Sequence, residues 1–309
     1  MSRMCTLHEI AMQFANKQPG MVDALTEAAP VLDMMKWIPS THGLWNVAEK
    51  LTEIEGPGWV MPDSPMPPMH VGSDLVHTDL HVMAGKMEVP TQRAIKFGGA
   101  AKYFADRQDA ILKRAGMDVE KRIVKDNWFK AAKDSNNLRD AGGNGGWYLL
   151  AVRFDDLSNV GLYDPDQFDT GRLLKISMPY GGEEHYLIGK KYEGVLGFTI
   201  TYTGNFGWQI LDAPRTCAAI VNIDNDNIPT AMMIDDMLAD IRADTGSTYL
   251  ICHPKCKNHA INSYKKDYVQ LTNSDTDAKT RIETWNGISI LQTYNVEKTQ
   301  RITTGMVKE

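Results

Sequence analysis

The sequence predicts an α+β fold, because helical and strand patterns occupy different parts of the chain. Its 309 residues are 43% hydrophobic, which is enough to bury one large core or two modest ones. Strand patterns gather between residues 147 and 221, and helix and strand then alternate in the final third. We therefore expect an ordered globular chain and exclude global disorder.

The N-terminal segment, 1–40, predicts two helices without a local partner. Thr6 is followed three residues later by Glu9, which is the capping-box pattern of a helix N-terminus. Apolar residues then recur at helical spacing, among them Leu7, Ile10 and Phe14. The second helical stretch, 22–35, is interrupted by Pro30. Both predicted helices have apolar faces, so this arm needs another surface to lie on.

Segment 41–92 predicts a long β-hairpin with a proline-rich excursion. Its flanks, 44–54 and 75–89, alternate as strands do, whereas the glycines and prolines between them exclude helix. The excursion keeps large apolar side chains: Trp59, Val60, Met61, Met66 and Met69. An exposed apolar loop of this length predicts a binding surface.

Segment 93–146 predicts the strongest helix of the chain, followed by a loop. Apolar residues from Phe97 to Ile123 mark one helical face. Gly116 is expected to divide this helix, with Asp118 capping the second piece. The polar, glycine-rich stretch 134–146 predicts a flexible loop at a segment boundary.

Segments 147–228 and 229–296 predict first a β-rich region and then an α/β unit, before a tail at 297–309. The strand runs of the first are WYLLAVRF, LLKISM, EHYLIG, LGFTITYT and FGWQI. The second predicts a helix over 230–243, a buried strand over 249–252 and a helix over 254–264. Asn286-Gly287 predicts a tight hairpin turn, because both residues accept positive φ.

Composition excludes several classes of function. A formal charge of -6 argues against a protein that grips nucleic-acid phosphates over a broad surface. No apolar run approaches the length of a membrane span, and Met1–Ile10 lacks the apolar core of a signal peptide. The four cysteines are too scattered to staple the fold, so we expect reduced thiols in a cytoplasmic product.

The search for reactive groups favours packing over chemistry. Cys252 and Cys256, with His253 and His259 nearby, could offer zinc two thiolates and two imidazoles. The first cysteine ends an apolar strand and the second lies in the first turn of a helix, so buried packing is the better interpretation. No nucleophile elbow or dinucleotide motif is present in the sequence.

The remaining polar clusters also favour ordinary structure. His77 and His81 are predicted to share the exposed face of one strand. The glycines of 142–146 lack the Lys-Ser/Thr of a phosphate loop and lead into a strand. Three carboxylate pairs have no calcium-loop spacing: Asp235 with Asp236, Glu183 with Glu184, and Asp224 with Asp226. Asp235 and Asp236 are adjacent on a predicted helix, so they diverge and are expected to face water.

The order of these elements resembles that of the Hong Kong 97-type major capsid proteins of tailed bacteriophages, in a podophage-like subgroup. TLHEIAMQF and VDALTEAAPVLDMMKWIP resemble the N-terminal arm, and LWNVAEKLTEIEGPGWVMPDSPMP resembles the extended loop. DVEKRIVKDNWF is similar to the turn after the spine helix, and GGWYLLAVRFDDLSNVGLYDPDQF, GVLGFTI and DAPRTCAAIVNID are similar to the insertion before the axial domain. PTAMMIDDMLADIRADTGSTYLICHPKCKNHAINSYKK and WNGISILQT resemble the axial domain itself.

The resemblance implies a peripheral domain with a spine helix over about 94–127 and an axial domain over about 230–296. It also implies a virion shell protein without catalytic, cofactor or metal residues. Partners would be copies of itself in pentamers and hexamers, with scaffolding, decoration and portal proteins, around double-stranded DNA that is enclosed without sequence-specific binding. Subunit contacts are expected at Leu7, Ile10, Phe14, Trp45, Trp59, Val60, Met61, Met66 and Met69. The alternatives are a tail or connector protein, or a zinc-dependent hydrolase.

Overall fold

The computed structural model describes residues 29–61, 64–155, 158–166, 174–261, 264, 269–273 and 281–303. The predicted helix that carries Leu7, Ile10 and Phe14 lies outside them. The strands are β1 (Trp37–Pro39), β2 (Trp45–Glu55), β3 (His70–Asp79), β4 (His81–Pro90), β5 (Leu138–Asp140), β6 (Trp147–Arg153), β7 (Asn159–Tyr163), β8 (Lys175–Ser177), β9 (His185–Tyr186), β10 (Leu196–Ile210), β11 (Cys217–Ile223), β12 (Thr248–Cys252), β13 (Val269–Asn273), β14 (Arg281–Trp285) and β15 (Ile288–Gln292). The helices are α1 (Pro30–Met34), α2 (Thr91–Lys96), α3 (Ala100–Arg122), α4 (Lys130–Asp134), α5 (Ala213–Thr216), α6 (Ala231–Asp240) and α7 (Pro254–Ala260).

A seven-stranded sheet in the order β13-β14-β15-β12-β6-β11-β5 forms the centre of the molecule. Successive side chains of β6 alternate between its two faces. Tyr148 and Leu150 contribute to the core on the side of the long helix α3, while Leu149 and Ala151 pack on the other side with α6 and α7. Helices therefore cover both faces of this sheet. Because both faces are buried, the sequences of its central strands are nearly continuous runs of apolar residues.

The long helix is continuous where the sequence predicted a break. Gly116 is buried inside α3, so the predicted division there is wrong. Packing offsets the roughly 1 kcal/mol by which glycine disfavours a helix interior. The helix continues into a π-helical segment, Ile123–Phe129, in which the fully buried Trp128 donates to Asn159 Oδ1 over 3.0 Å. We call α3 and this segment together the spine helix.

A six-stranded sheet is organised around the 15-residue strand β10. The prediction of two strands, LGFTITYT and FGWQI, is wrong, because Gly204 and Asn205 continue the ladder opposite β4. Asn205 is accommodated since its side-chain amide donates to Asp164 Oδ2 over 2.9 Å. The strand pairs with β4, β7, β8 and β9, and so gathers four separate chain segments into one sheet.

The predicted hairpin forms, but its second flank differs from the prediction. The single strand expected over 75–89 is divided at Leu80, which is buried with Val160 and Leu162. Before this point β3 pairs with β2, and after it β4 pairs with β10. We call residues 45–79 the extended hairpin, because they form a two-stranded sheet of their own.

Three local predictions in the rest of the chain have different outcomes. Pro30 is the first residue of α1, a position that tolerates its missing N–H, and the earlier part of the predicted stretch 22–35 lies outside the described residues. The helix predicted over 254–264 ends at Ala260. The Asn286-Gly287 turn is confirmed, with φ values of 48° and 87° between β14 and β15.

The seven-stranded sheet takes strands from three of the predicted segments, 93–146, 147–228 and 229–296. Hydrogen bonds therefore cross the boundaries between these segments within one sheet. The division of the chain into peripheral and axial domains stays a prediction. No described helix is long and apolar enough to cross a membrane.

Candidate assembly surface

Among the described residues, the contacts that anchor the extended hairpin to the six-stranded sheet lie at its base. Asn46 is buried there, and its side-chain amide donates to Gln209 Oε1 of β10 over 2.8 Å. Thr41 N donates in turn to Asn46 Oδ1 over 3.0 Å. Trp45 is half-buried and stacks on the ring of His42 at a centroid distance of 3.5 Å. These contacts fix the direction in which the hairpin leaves the body of the molecule.

Beyond this base, the hairpin lacks a covering layer among the described residues. From Glu49 onward every residue of β2 is exposed, and β3 is exposed or half-buried throughout. Apolar side chains project from both strands: Leu51, Ile54, Val71 and Leu75. A two-stranded hairpin without a packed face is marginally stable in water, so this geometry calls for an external partner.

The proline-rich end of the hairpin carries the large apolar side chains that the sequence analysis named as subunit contacts. Trp59 is fully exposed, and Val60, Met61, Met66 and Met69 are all exposed as well. Sequence reasoning thus identified the end of the hairpin but missed the apolar residues of its strands. The alternation of Ile54 with Glu53 and Glu55 was the available signal.

A second exposed surface surrounds α2 and the start of the spine helix. The stretch 91–105 contains Arg93, Lys96 and Lys102 and no acidic residue. Ile95 and Phe97 are exposed beside these cations. We call this surface the basic platform.

Aromatic contacts hold the basic platform in place. The Arg107 guanidinium lies 3.8 Å from the centroid of the Tyr103 ring and 5.1 Å from that of Phe97. Arg93 Nη1 donates to the Tyr192 hydroxyl over 3.0 Å, which ties α2 to the loop before β10. Cations stacked on rings have a defined direction, which suits them to recognise carboxylates.

The extended hairpin has the opposite charge. Strands β2 and β3 contain five acidic residues against one lysine, Lys50. The acidic residues are Glu49, Glu53, Glu55, Asp74 and Asp79. One chain therefore presents two exposed surfaces that are both partly apolar and have complementary charge.

The cysteines are arranged for packing. Cys252 and Cys256 are fully buried, and Cys256 Sγ donates to the Tyr148 carbonyl over 3.7 Å. Burial raises the pKa of Cys252 to about 12 and raises that of Cys256 well above its usual value. A thiol must lose its proton to bind zinc, so this environment disfavours the metal site.

The two histidines near the hairpin base lie in different sheets. His77 is in β3 and stacks on Trp45 at 5.1 Å, whereas His81 is in β4 and lies 5.1 Å from the Trp208 ring. The prediction of one shared strand face is wrong, because Leu80 turns the chain between them. Within the described part of the chain, no three His, Cys, Asp or Glu side chains are grouped to hold a metal ion.

The pair expected to face water, Asp235 with Asp236, and the Asp224 carboxylate are engaged in structure. Asp235 Oδ1 accepts from Trp285 Nε1 over 2.8 Å, and Asp236 forms an ion pair with Arg139 at 3.7 Å. Asp224 Oδ1 accepts from the backbone and side chain of Asn227, which lowers the pKa of Asp224. These three carboxylates hold loops and helices in place.

Comparisons with solved structures identify the fold. A chain of bacteriophage Epsilon15 aligns with a TM-score of 0.55 and 12% identity, covering 88% of each chain. A chain of the bacteriophage JBD30 capsid aligns with a TM-score of 0.54 and 10% identity, covering 91% of this chain and 100% of that one. No protein-family model matches the sequence, and no curated protein sequence shows significant similarity to it. The chain thus has the Hong Kong 97-type fold of bacteriophage capsid proteins, as the sequence resemblance predicted.

Proposed function

We propose that this chain is the major capsid protein of a tailed bacteriophage, which self-assembles into the icosahedral shell around the double-stranded DNA genome. The observation that carries the proposal is the extended hairpin, whose apolar side chains have no cover within the described chain. The capsid fold supplies the context in which sister copies provide that cover. At about 25 cal/mol per Å² of apolar surface, a few such side chains stabilise each contact by several kcal/mol.

The contact between copies places the extended hairpin of one chain on the basic platform of the next. The opposite charges of the two surfaces support this pairing, and the apolar residues in both supply affinity. The two surfaces differ, so the contact is head-to-tail and closes into a ring when the rotation between copies allows it. Pentamers and hexamers are the rings of an icosahedral shell.

The proposed role is structural, without a catalytic centre or cofactor. Buried thiols and structurally engaged carboxylates support it over the zinc-dependent hydrolase. An acidic chain also suits a container whose wall does not retain the genome by its phosphates. Assembly would occur in the host cytoplasm, without covalent crosslinks, and the shell would take its place in the virion with scaffolding, decoration and portal proteins.

The domain division forms part of the proposal. Segment 93–146, which contains the spine helix, corresponds to the peripheral domain, and 229–296 corresponds to the axial domain near capsomer centres. Segment 147–228 is the β-rich region that joins the two, and 41–92 is the extended loop. The long helix of 93–146 and the alternation of helix and strand in 229–296 support this division. The segments 1–40 and 297–309 would be the arm and the tail.

Imaging the purified chain tests the function. We expect sedimentation to show a concentration-dependent shift from subunits to large particles, and negative-stain images to show closed shells. Open tubes or single rings would instead support a tail or connector protein. A chain that remains monomeric at every concentration would contradict the proposal.

Charge reversal tests the pairing of the two surfaces. Glu53→Lys with Glu55→Lys in the hairpin, or Arg93→Glu with Lys96→Glu in the platform, should each raise the concentration needed for assembly by about tenfold or more. Combining all four changes should restore much of the loss. Asp134→Lys, an exposed reversal at the end of α4, is the matched control. Independent, additive losses would argue against direct pairing.

A further inference from the structure

The exposed end of the extended hairpin is unusually rich in thioethers. Met61, Met66 and Met69 are 79%, 88% and 68% exposed, and all three lie within nine residues of sequence. Met237, in contrast, lies on α6 and is fully buried in the core. Accessibility to solvent is what makes a methionine susceptible to oxidation. The hairpin therefore places oxidisable groups at the surface that the proposed function buries.

We propose that Met61, Met66 and Met69 form a peroxide-reactive modification site whose oxidation prevents assembly. This inference rests on the proposed function. In each reaction the thioether sulfur attacks one oxygen of hydrogen peroxide and the O–O bond breaks. The sulfur is oxidised to the sulfoxide, and the peroxide is reduced to water, so that atoms and electrons balance. The oxidant is a hydroperoxide from the surroundings of the free subunit.

The sulfoxide changes the chemistry of the contact. It converts a flexible apolar side chain into a polar one with a strong hydrogen-bond acceptor. Burial of that acceptor against the apolar part of a neighbouring subunit leaves it without a donor and opposes association. Oxidation before assembly therefore weakens the contact. Oxidation after assembly is slow, because the neighbouring copy excludes peroxide from the three sulfurs.

The order of oxidation in the free subunit gives a first test. Peptide mass spectrometry during treatment with hydrogen peroxide should show Met61, Met66 and Met69 gaining one oxygen each well before Met237. Met232, which is 73% exposed on α6, reports a reactive methionine outside the hairpin. In assembled particles the three hairpin methionines should react about tenfold or more slowly than in the subunit. Equal rates in both states would overturn the inference.

Variants connect the modification to assembly. Peroxide treatment should raise the assembly concentration of the unsubstituted chain by about tenfold or more. The triple variant Met61→Leu, Met66→Leu and Met69→Leu keeps the apolar surface and should assemble with or without peroxide. Met232→Leu is the matched control and should remain peroxide-sensitive.

Two outcomes separate the failures of the two proposals. If the oxidised chain assembles at the same concentration as the untreated one, or the triple variant stays equally sensitive, only the modification site is wrong. If the untreated chain never assembles, the proposed function fails and the modification site fails with it.

Discussion

Glu120 of the spine helix is a carboxyl group without solvent exposure that joins three distant parts of the chain. Its Oε2 accepts from Val31 N over 3.1 Å, and its Oε1 accepts from Asn295 Nδ2 over 3.0 Å and from the Thr293 hydroxyl. Burial raises the pKa of Glu120, and the nearby Asp33 carboxylate adds to this effect. The three hydrogen bonds lower the pKa but do not cancel the burial.

The raised pKa of Glu120 predicts that its side chain makes folding sensitive to pH. The folded state binds this proton more tightly than the unfolded state, so stability falls as pH rises from the ordinary glutamate pKa toward the folded one. Glu120→Gln should flatten this dependence in urea unfolding measured between about pH 4 and about pH 8. An unchanged pH profile would contradict the raised pKa of Glu120 in the folded chain.

Truncation of the same side chain tests its hydrogen bonds separately. Glu120→Ala leaves Val31 N, Thr293 and Asn295 without their buried acceptor, and should cost about 2–4 kcal/mol of unfolding free energy. Equilibrium unfolding of the subunit measures this loss. Lys113→Ala, an exposed change on the same helix, should have little effect.

At the scale of elements, the glycine loop 142–146 is a packed clamp, and the prediction of a flexible loop is wrong. Gly142, Gly145 and Gly146 have backbone φ values of 94°, 91° and 138°, which residues other than glycine rarely adopt. Gly146 exchanges backbone hydrogen bonds with Thr299 at 2.9 and 2.8 Å. The glycines thereby let the C-terminal segment lie directly against the start of β6.

A methyl group in this clamp should disrupt it. At Gly143, an added Cβ would lie 2.3 Å from the Asn222 carbonyl oxygen and 2.6 Å from Asp224 Oδ2. Gly143→Ala should therefore destabilise the chain by about 2–4 kcal/mol, measured as the shift in thermal or urea unfolding. Gly85→Ala in β4, where an added Cβ meets nothing within 4 Å, is the matched control and should be near neutral. Equal stability of the two variants would contradict the clamp.

At the scale of the whole molecule, folding and assembly depend on different surfaces. The buried clusters lie on the two larger sheets and the spine helix, and no residue of the hairpin beyond Asn46 belongs to them among the described residues. The chain thus separates a core that stabilises the subunit from a hairpin that is stabilised by its neighbours.

Shortening the hairpin should remove assembly and leave the subunit folded. Glu49 and Leu75 are register partners, so an Asn-Gly turn in place of residues 50–74 would close the ladder. We expect the thermal unfolding midpoint to change by only about 2 °C, and large particles to be absent in sedimentation. A large loss of subunit stability would show that the hairpin belongs to the subunit core. Normal particles would contradict its role in assembly.

Local patterns in the sequence were sufficient for the α+β class, the spine helix, the Asn286-Gly287 turn and the exposed end of the hairpin. Each depends on residues close together in the chain, whose periodicity or backbone preference fixes the local structure. Only the tertiary structure decided that β10 is one strand, that Leu80 divides the hairpin from β4, and that Glu120 joins three segments. It also showed that the basic platform and the hairpin, whose charges are opposite, are both exposed. These features depend on partners far away in sequence, and a local pattern carries no information about which distant segment supplies the hydrogen bond, the packing or the charge.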